Sequence, residues 1–191
     1  MVAVFLRGEL DSERFAPGIG RALRTAGAQD ELITAPDLAS ADDNALRRRI
    51  LDETRGYDRR VGLFDGFPND VRWERVALTA SEVASVLYID WSYWLELSGG
   101  SRRPADAAAR IRAGFEAFGV KNDGFHELAA EFRERRAWSE LILASARAEG
   151  GDVVLEGHAR LTAMALAADA VPRETEMIRG VSPRMVEWSE Y

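Results

Sequence analysis

The sequence predicts an α+β fold, and three observations carry that prediction. Short apolar runs of strand length recur at residues 73–78, 140–146 and 153–155. Longer stretches between them repeat their apolar residues at helical spacing and open on capping side chains. The second and third apolar runs are separated by residues 147–152, a hairpin-length turn containing Gly150 and Gly151.

Composition narrows the chemistry. The chain has 191 residues, 47% hydrophobic and 30% charged, as in an ordinary globular protein. Cysteine is absent, which excludes disulfides, thiolate metal sites and cysteine nucleophiles. Two histidines, His126 and His158, are too few for a histidine-rich metal site. The formal net charge of −7 gives no general attraction to phosphate backbones, so nucleic acid is not the expected partner. No apolar run reaches the length of a membrane span, and the N-terminus reads as a buried strand rather than a signal peptide. A cytoplasmic location is the expectation.

Taken in order, residues 1–71 form an N-terminal extension of α/β character and residues 72–191 a second domain. Residues 1–10 read as a strand, 12–26 as a helix, and 30–39 as loop. Ser40 followed by Asp42 and Asp43 starts a helix that Gly56 ends, with Arg47, Arg48 and Arg49 on a solvated face. Residues 60–64 read as another strand. After the strand at 73–78, Thr79 and Glu82 have capping-box spacing. The helix they open should run to Leu97, with Val83, Val86, Leu87, Trp91 and Trp94 inward. Pro104 opens a helix to Phe118, and Asn122 or Asp123 caps the next, with His126 beside its apolar face. Residues 131–136 read as a charged helix end. Residues 174–178 form a last strand, and Trp188 in the tail folds back on the body.

Two segments carry candidate chemistry. The first is Glu156-Gly157-His158-Ala159-Arg160, where a strand turns into an alanine-rich helix. A helix start presents free amides and the positive end of the dipole, so His158 and Arg160 beside it make a seat for an anion. Glu156 could bind Mg²⁺ through oxygen or act as a base. The plainer alternative is that Glu156 caps the helix and His158 is a locally satisfied donor. The second segment is Gly99-Gly100-Ser101-Arg102. Two glycines let backbone approach a ligand, with hydroxyl and guanidinium groups around them. A plain interhelix loop reads equally well from those residues.

The order of elements around these segments resembles the core of the ParB/sulfiredoxin-like superfamily. A strand, a Gly-Gly turn, a strand and a Glu-Gly-His-x-Arg helix start are followed by Pro172 and a strand, over roughly residues 72–181. The partition proteins place Gly-Glu-Arg-Arg at the turn, and the free serine kinases Asp-Gly-His-His-Arg. Glu156–Arg160 is similar to the second, with Ala159 in place of the middle histidine. The resemblance implies a small mixed sheet flanked by helices. It also implies binding of ATP, CTP or another nucleoside triphosphate with Mg²⁺. Gly157, His158 and Arg160 would hold phosphate, with Gly99, Gly100, Ser101 and Arg102 as a second clamp. Glu156 would sit near metal, and catalytic roles would fall to Glu156 and His158.

Function classes follow from that resemblance. One is a Mg²⁺-dependent phosphotransferase or nucleotide hydrolase acting on a small hydroxylated substrate. The alternative is a non-catalytic nucleotide-sensing or protein-binding module that meets a protein partner through its extension. Nucleic-acid binding through the arginines at 47–49, 102–103 and 133–136 is the third, opposed by the net acidity. Sulfiredoxin chemistry is excluded by the missing cysteine. A chromosome-partition role would call for further domains after the core.

Overall fold

The computed structural model describes residues 1–135, 139–148 and 150–191, without the side chain of Arg135. The expected end of the charged run at Arg136, and position 149 of the hairpin turn, lie outside the described residues. The fold is mixed α/β, and the chain divides into two compact units, Met1–Phe67 and Pro68–Tyr191.

The first unit is helical throughout. It holds α1 (Val2–Leu10), α2 (Ala16–Thr25), α3 (Glu31–Thr34) and α4 (Ala41–Arg55), then a 3₁₀ turn at Gly62–Phe64. The capping prediction for α4 holds, because the Ser40 hydroxyl accepts from the Asp43 amide at 3.2 Å. Besides the short α3 inside the expected loop at 30–39, three expectations fail here. The strand at 1–10 is α1, and the strand at 60–64 is the 3₁₀ turn, so the extension contributes no strand. A short apolar run does not declare its own period. Burial of Phe5, Leu6 and Glu9 on one face decides for helix. Arg47 is the third. It is 1% exposed, and its guanidinium donates to the carbonyls of Leu32 and Asp37 and to Asn44 Oδ1 at 2.7–2.8 Å. It is a buried tie, not part of a solvated face. In the same unit Phe64 meets Tyr57 and Phe67 edge-on at 5.0 and 5.4 Å.

The second unit is built on a four-stranded sheet in the order β1-β4-β2-β3. These are β1 (Arg72–Thr79), β2 (Ile142–Ser145), β3 (Val153–Glu156) and β4 (Glu174–Val181). β1 is antiparallel to β4, β2 antiparallel to β3, and β2 parallel to β4. The sheet is therefore mixed, and β2 and β4 are its inner strands. Close approach explains Gly180, since a Cβ there would lie 2.6 Å from the Trp73 ring on the neighbouring strand.

Helices cover the sheet: α5 (Ala80–Val83), α6 (Ser92–Ser98), α7 (Pro104–Arg112), α8 (Asp123–Arg135) and α9 (His158–Leu166). α9 packs against both α7 and α8 and brings Leu161, Ala163 and Met164 into the core with Ile111, Phe132 and Leu143. Two further expectations are corrected. The helix begun at Thr79 stops at Val83, because Leu87 bridges to Val153 of β3 and the Tyr88 amide donates to the Arg102 carbonyl at 2.8 Å. Main-chain bonds to distant partners outcompete continuation of the helix. The helix from Pro104 ends at Arg112 rather than Phe118. Trp188 is 2% exposed, so the tail does fold back. No helix among the described residues is long and apolar enough to cross a membrane.

The capping box at the start of α5 is present in full. The Thr79 hydroxyl accepts from the Glu82 amide, and Glu82 accepts from the Thr79 amide at 2.8 Å. The Thr79 hydroxyl also donates to Glu82 Oε2 at 2.7 Å, and this bond first, with the Thr79 amide second, holds the Glu82 carboxyl below its ordinary range. A lowered folded value means the contribution is in place above the unfolded range and is lost as pH falls through the folded one. Glu82→Gln should therefore lower the melting temperature slightly on the neutral side and converge with the wild type on the acid side, as pH-dependent thermal denaturation would record.

Candidate functional site

The Glu156–Arg160 turn joins the end of β3 to α9, as the sequence predicts. Gly157 is the N-cap at φ 101°, a left-handed conformation, and no side chain caps the helix among the described residues. That glycine has a second role. A Cβ at 157 would stand 2.9 Å from Leu141 Cγ and 3.2 Å from Arg160 Nη2. The missing side chain leaves the space in which the Arg160 guanidinium lies back over the helix start.

Arg160 is ion-paired with Glu156 and donates to the Ser139 hydroxyl. It also donates to the Ser139 carbonyl at 2.6 Å. Both charged side chains are largely enclosed, 12% exposed for Arg160 and 13% for Glu156. The two residues predicted to share a site therefore do meet, through each other. Ser139 was not foreseen. It lies just ahead of β2, and a lone serine before a strand has no spacing that marks it.

His158 takes a packing position. Its ring stacks on Trp94 at 5.0 Å and 17° and faces Tyr88 at 6.4 Å. Tyr88 stacks in turn on Trp94 at 4.8 Å. Thr162 donates from Oγ1 to the His158 carbonyl at 2.8 Å, so the 2.7 Å contact between Tyr88 and Thr162 places the proton on the phenol. Burial pushes the Tyr88 phenol well above its ordinary value. This slab of rings fixes the start of α9 against α6.

The Gly99–Arg102 segment ends α6. Gly99, at φ 65°, donates to Glu96, and Gly100 donates to the Leu95 carbonyl at 2.7 Å. This crossed pair of bonds is a Schellman ending, and it uses both glycine amides. Ser101 Oγ bonds the Ser98 carbonyl at 3.1 Å. Arg102, at φ 60°, turns its guanidinium to the carbonyls of Tyr88 at 2.7 Å and Glu190 at 3.1 Å. Burial pulls its guanidinium below the ordinary value, opposed by the charges of Asp90 and Glu190. The interhelix-loop reading describes this segment. It connects to the α9 turn through Tyr88, whose backbone pairs with Arg102 and whose side chain reaches His158 and Thr162.

Metal chemistry at the turn has one carboxylate to draw on, Glu156. No group of three or more His, Asp or Glu residues suited to a metal ion occurs among the described residues. A cation held by protein ligands alone does not fit this donor set. Magnesium carried on phosphate does, because it keeps waters and phosphate oxygens and needs only one or two carboxylates.

Comparison with family models, with characterised proteins and with solved structures finds no match to this chain.

Proposed function

We propose that the second unit is a ParB-like nucleotide-binding module whose phosphate seat is the start of α9. The observation that supports this reading is Arg160, folded over the glycine N-cap with Glu156 and Ser139 as its partners. A guanidinium at a helix N-terminus suits phosphate in charge and in fork geometry. Glu156 occupies that fork. A nucleotide phosphate would compete for it, drawing Arg160 toward phosphate and releasing the Glu156 carboxylate. Mg²⁺ accompanying the nucleotide would neutralise phosphate charge, with Glu156 as its protein carboxylate.

Turnover on a small hydroxylated acceptor is the extended form of this reading, with Glu156 and His158 in catalytic roles. Binding and sensing without turnover is the second reading. His158 packed against Trp94, and Glu156 engaged by Arg160, favour it over a poised general base. In either form the expected ligand is an ATP- or CTP-type nucleotide, the expected location is the cytoplasm, and the helical first unit is the surface offered to a protein partner.

A thermal-shift panel of ATP, CTP and GTP with and without Mg²⁺ tests the proposal, since a ligand of the folded state raises apparent stability by about 2.7 kcal/mol at a hundredfold excess over Kd. The wild-type chain should respond and Arg160→Ala should not. Glu156→Gln should bind nucleotide more tightly without Mg²⁺, because the competing charge is gone. Equal calorimetric affinity in wild type and Arg160→Ala would sink the reading. Release of nucleoside diphosphate separates the enzyme from the sensor.

A further inference from the structure

We infer that the helical first unit carries a separate site for a small dianion, in the groove between α2 and α4. The groove is about 590 Å³, within the usual span of about 300–1,000 Å³ for small-molecule sites. Arg14, Arg21, Arg55, Phe15, Glu9 and Glu53 are among the residues that line it. Nothing assigned to the α9 turn lies in it.

The charges in this groove do not cancel. Arg55 is 12% exposed and paired with Glu9 at 3.4 Å. Its guanidinium also lies 4.2 Å from the Phe15 ring centre. Glu53 leans toward Arg49 at 3.9 Å. Arg14 and Arg21 have no carboxylate within 4.0 Å among the described residues. Arg14 lies over the same Phe15 ring, 5.0 Å from its centre. Arg21 lies over Gly18, its Nη2 4.0 Å from the point where a Cβ would stand.

One ring therefore carries two cations, and a third is placed alongside. Like charges converging on one groove repel, and an anion between them removes that cost. Two uncommitted forks, each able to hold an oxyanion bidentately, match a doubly charged ligand. The apolar faces of Phe15, Pro17 and Ala22 give room for a short carbon skeleton beside them. The ligand class is a small organic dianion, either a phosphate monoester or a dicarboxylate.

Calorimetric titration of the full chain with inorganic phosphate and, separately, with succinate at constant ionic strength is the test. Saturable binding is expected, weakened roughly tenfold or more in the Arg14→Ala/Arg21→Ala variant, as loss of charge-assisted pairs requires. Both arginines are exposed, so that variant should keep the wild-type melting temperature. Arg160→Ala should bind as wild type does, which separates this site from the α9 turn. A response to phosphate alone assigns the monoester, and a response to both dianions assigns the wider oxyanion class. The inference is overturned if neither dianion binds, or if binding survives in the double arginine variant.

Discussion

Arg179→Ala should lower stability at neutral pH by about 3–5 kcal/mol, the cost of stranding one member of a buried ion pair. Arg179 sits on the inner strand β4, opposite Glu74 on β1 and Leu143 on β2. Its Nε is 3.1 Å from Asp152 Oδ1, and Nη2 donates to Oδ2 at 3.2 Å. Nη1 donates to the Ala148 carbonyl at 2.6 Å, which ties the hairpin turn to the sheet. The pair is 9% and 8% exposed, so water cannot replace either partner.

Burial already pushes the Asp152 carboxyl up, and the Arg179 charge opposes that push. In the alanine variant the opposition is gone, and the folded value rises further. A raised folded value favours the protonated carboxyl in the native state. Its contribution is fully present below the unfolded value and is lost as pH rises through the folded one. The deficit of the variant relative to wild type should therefore shrink as pH falls toward the acid range. Urea denaturation of both chains from pH 4 to pH 8 would measure it. A deficit independent of pH would show that Asp152 does not carry the effect. Asp152→Leu/Arg179→Met should recover most of the loss, because an apolar pair of similar size has no charge to desolvate.

Gly157→Ala is the second large effect, at about 2–4 kcal/mol. Part is conformational, since an L residue at φ 101° is strained. The larger part is steric, from a Cβ 2.9 Å from the buried Leu141 side chain. The same methyl presses on Arg160 Nη2, so the guanidinium must leave its seat, and the nucleotide binding we propose should fall with stability. Gly100→Ala is the matched control. Its φ is 88°, but nothing lies within 4 Å of the added carbon. It should show the conformational cost alone, about 1–2 kcal/mol. Chemical denaturation of the two variants separates the terms. Equal losses would mean that Leu141 yields without cost.

The candidate site was legible to unequal depth. Glu156 and Arg160 stand four residues apart across a strand-to-helix turn, and that spacing places them together by local geometry. Gly157 is legible for the same reason, since a sharp turn into a helix needs a left-handed residue. The direction of Arg102 was not legible, because a guanidinium's direction is set by its acceptors. Those acceptors, the carbonyls of Tyr88 and Glu190, are 14 and 88 residues away. Trp94 was expected on an inner face and packs against the core, whereas Tyr88, fully buried, carried no such signal. That their rings would take up His158 depends on α6 meeting the start of α9.

What the sequence determined by itself was the set of features closed within a few residues. These are the α4 cap at Ser40, the capping box at Thr79 and Glu82, the α6 stop at Gly99, the β2–β3 hairpin and the β3-to-α9 turn. Their bonds run between neighbours, so their energies are written in local order. Tertiary structure decided the rest. It made residues 2–10 a helix, broke the helix after Val83, buried Arg47 among carbonyls and paired Arg179 with Asp152. In each case the deciding term was burial or a bond between residues distant in the chain. A short apolar run, or a lone arginine, has the same appearance in the sequence whichever partner it finds.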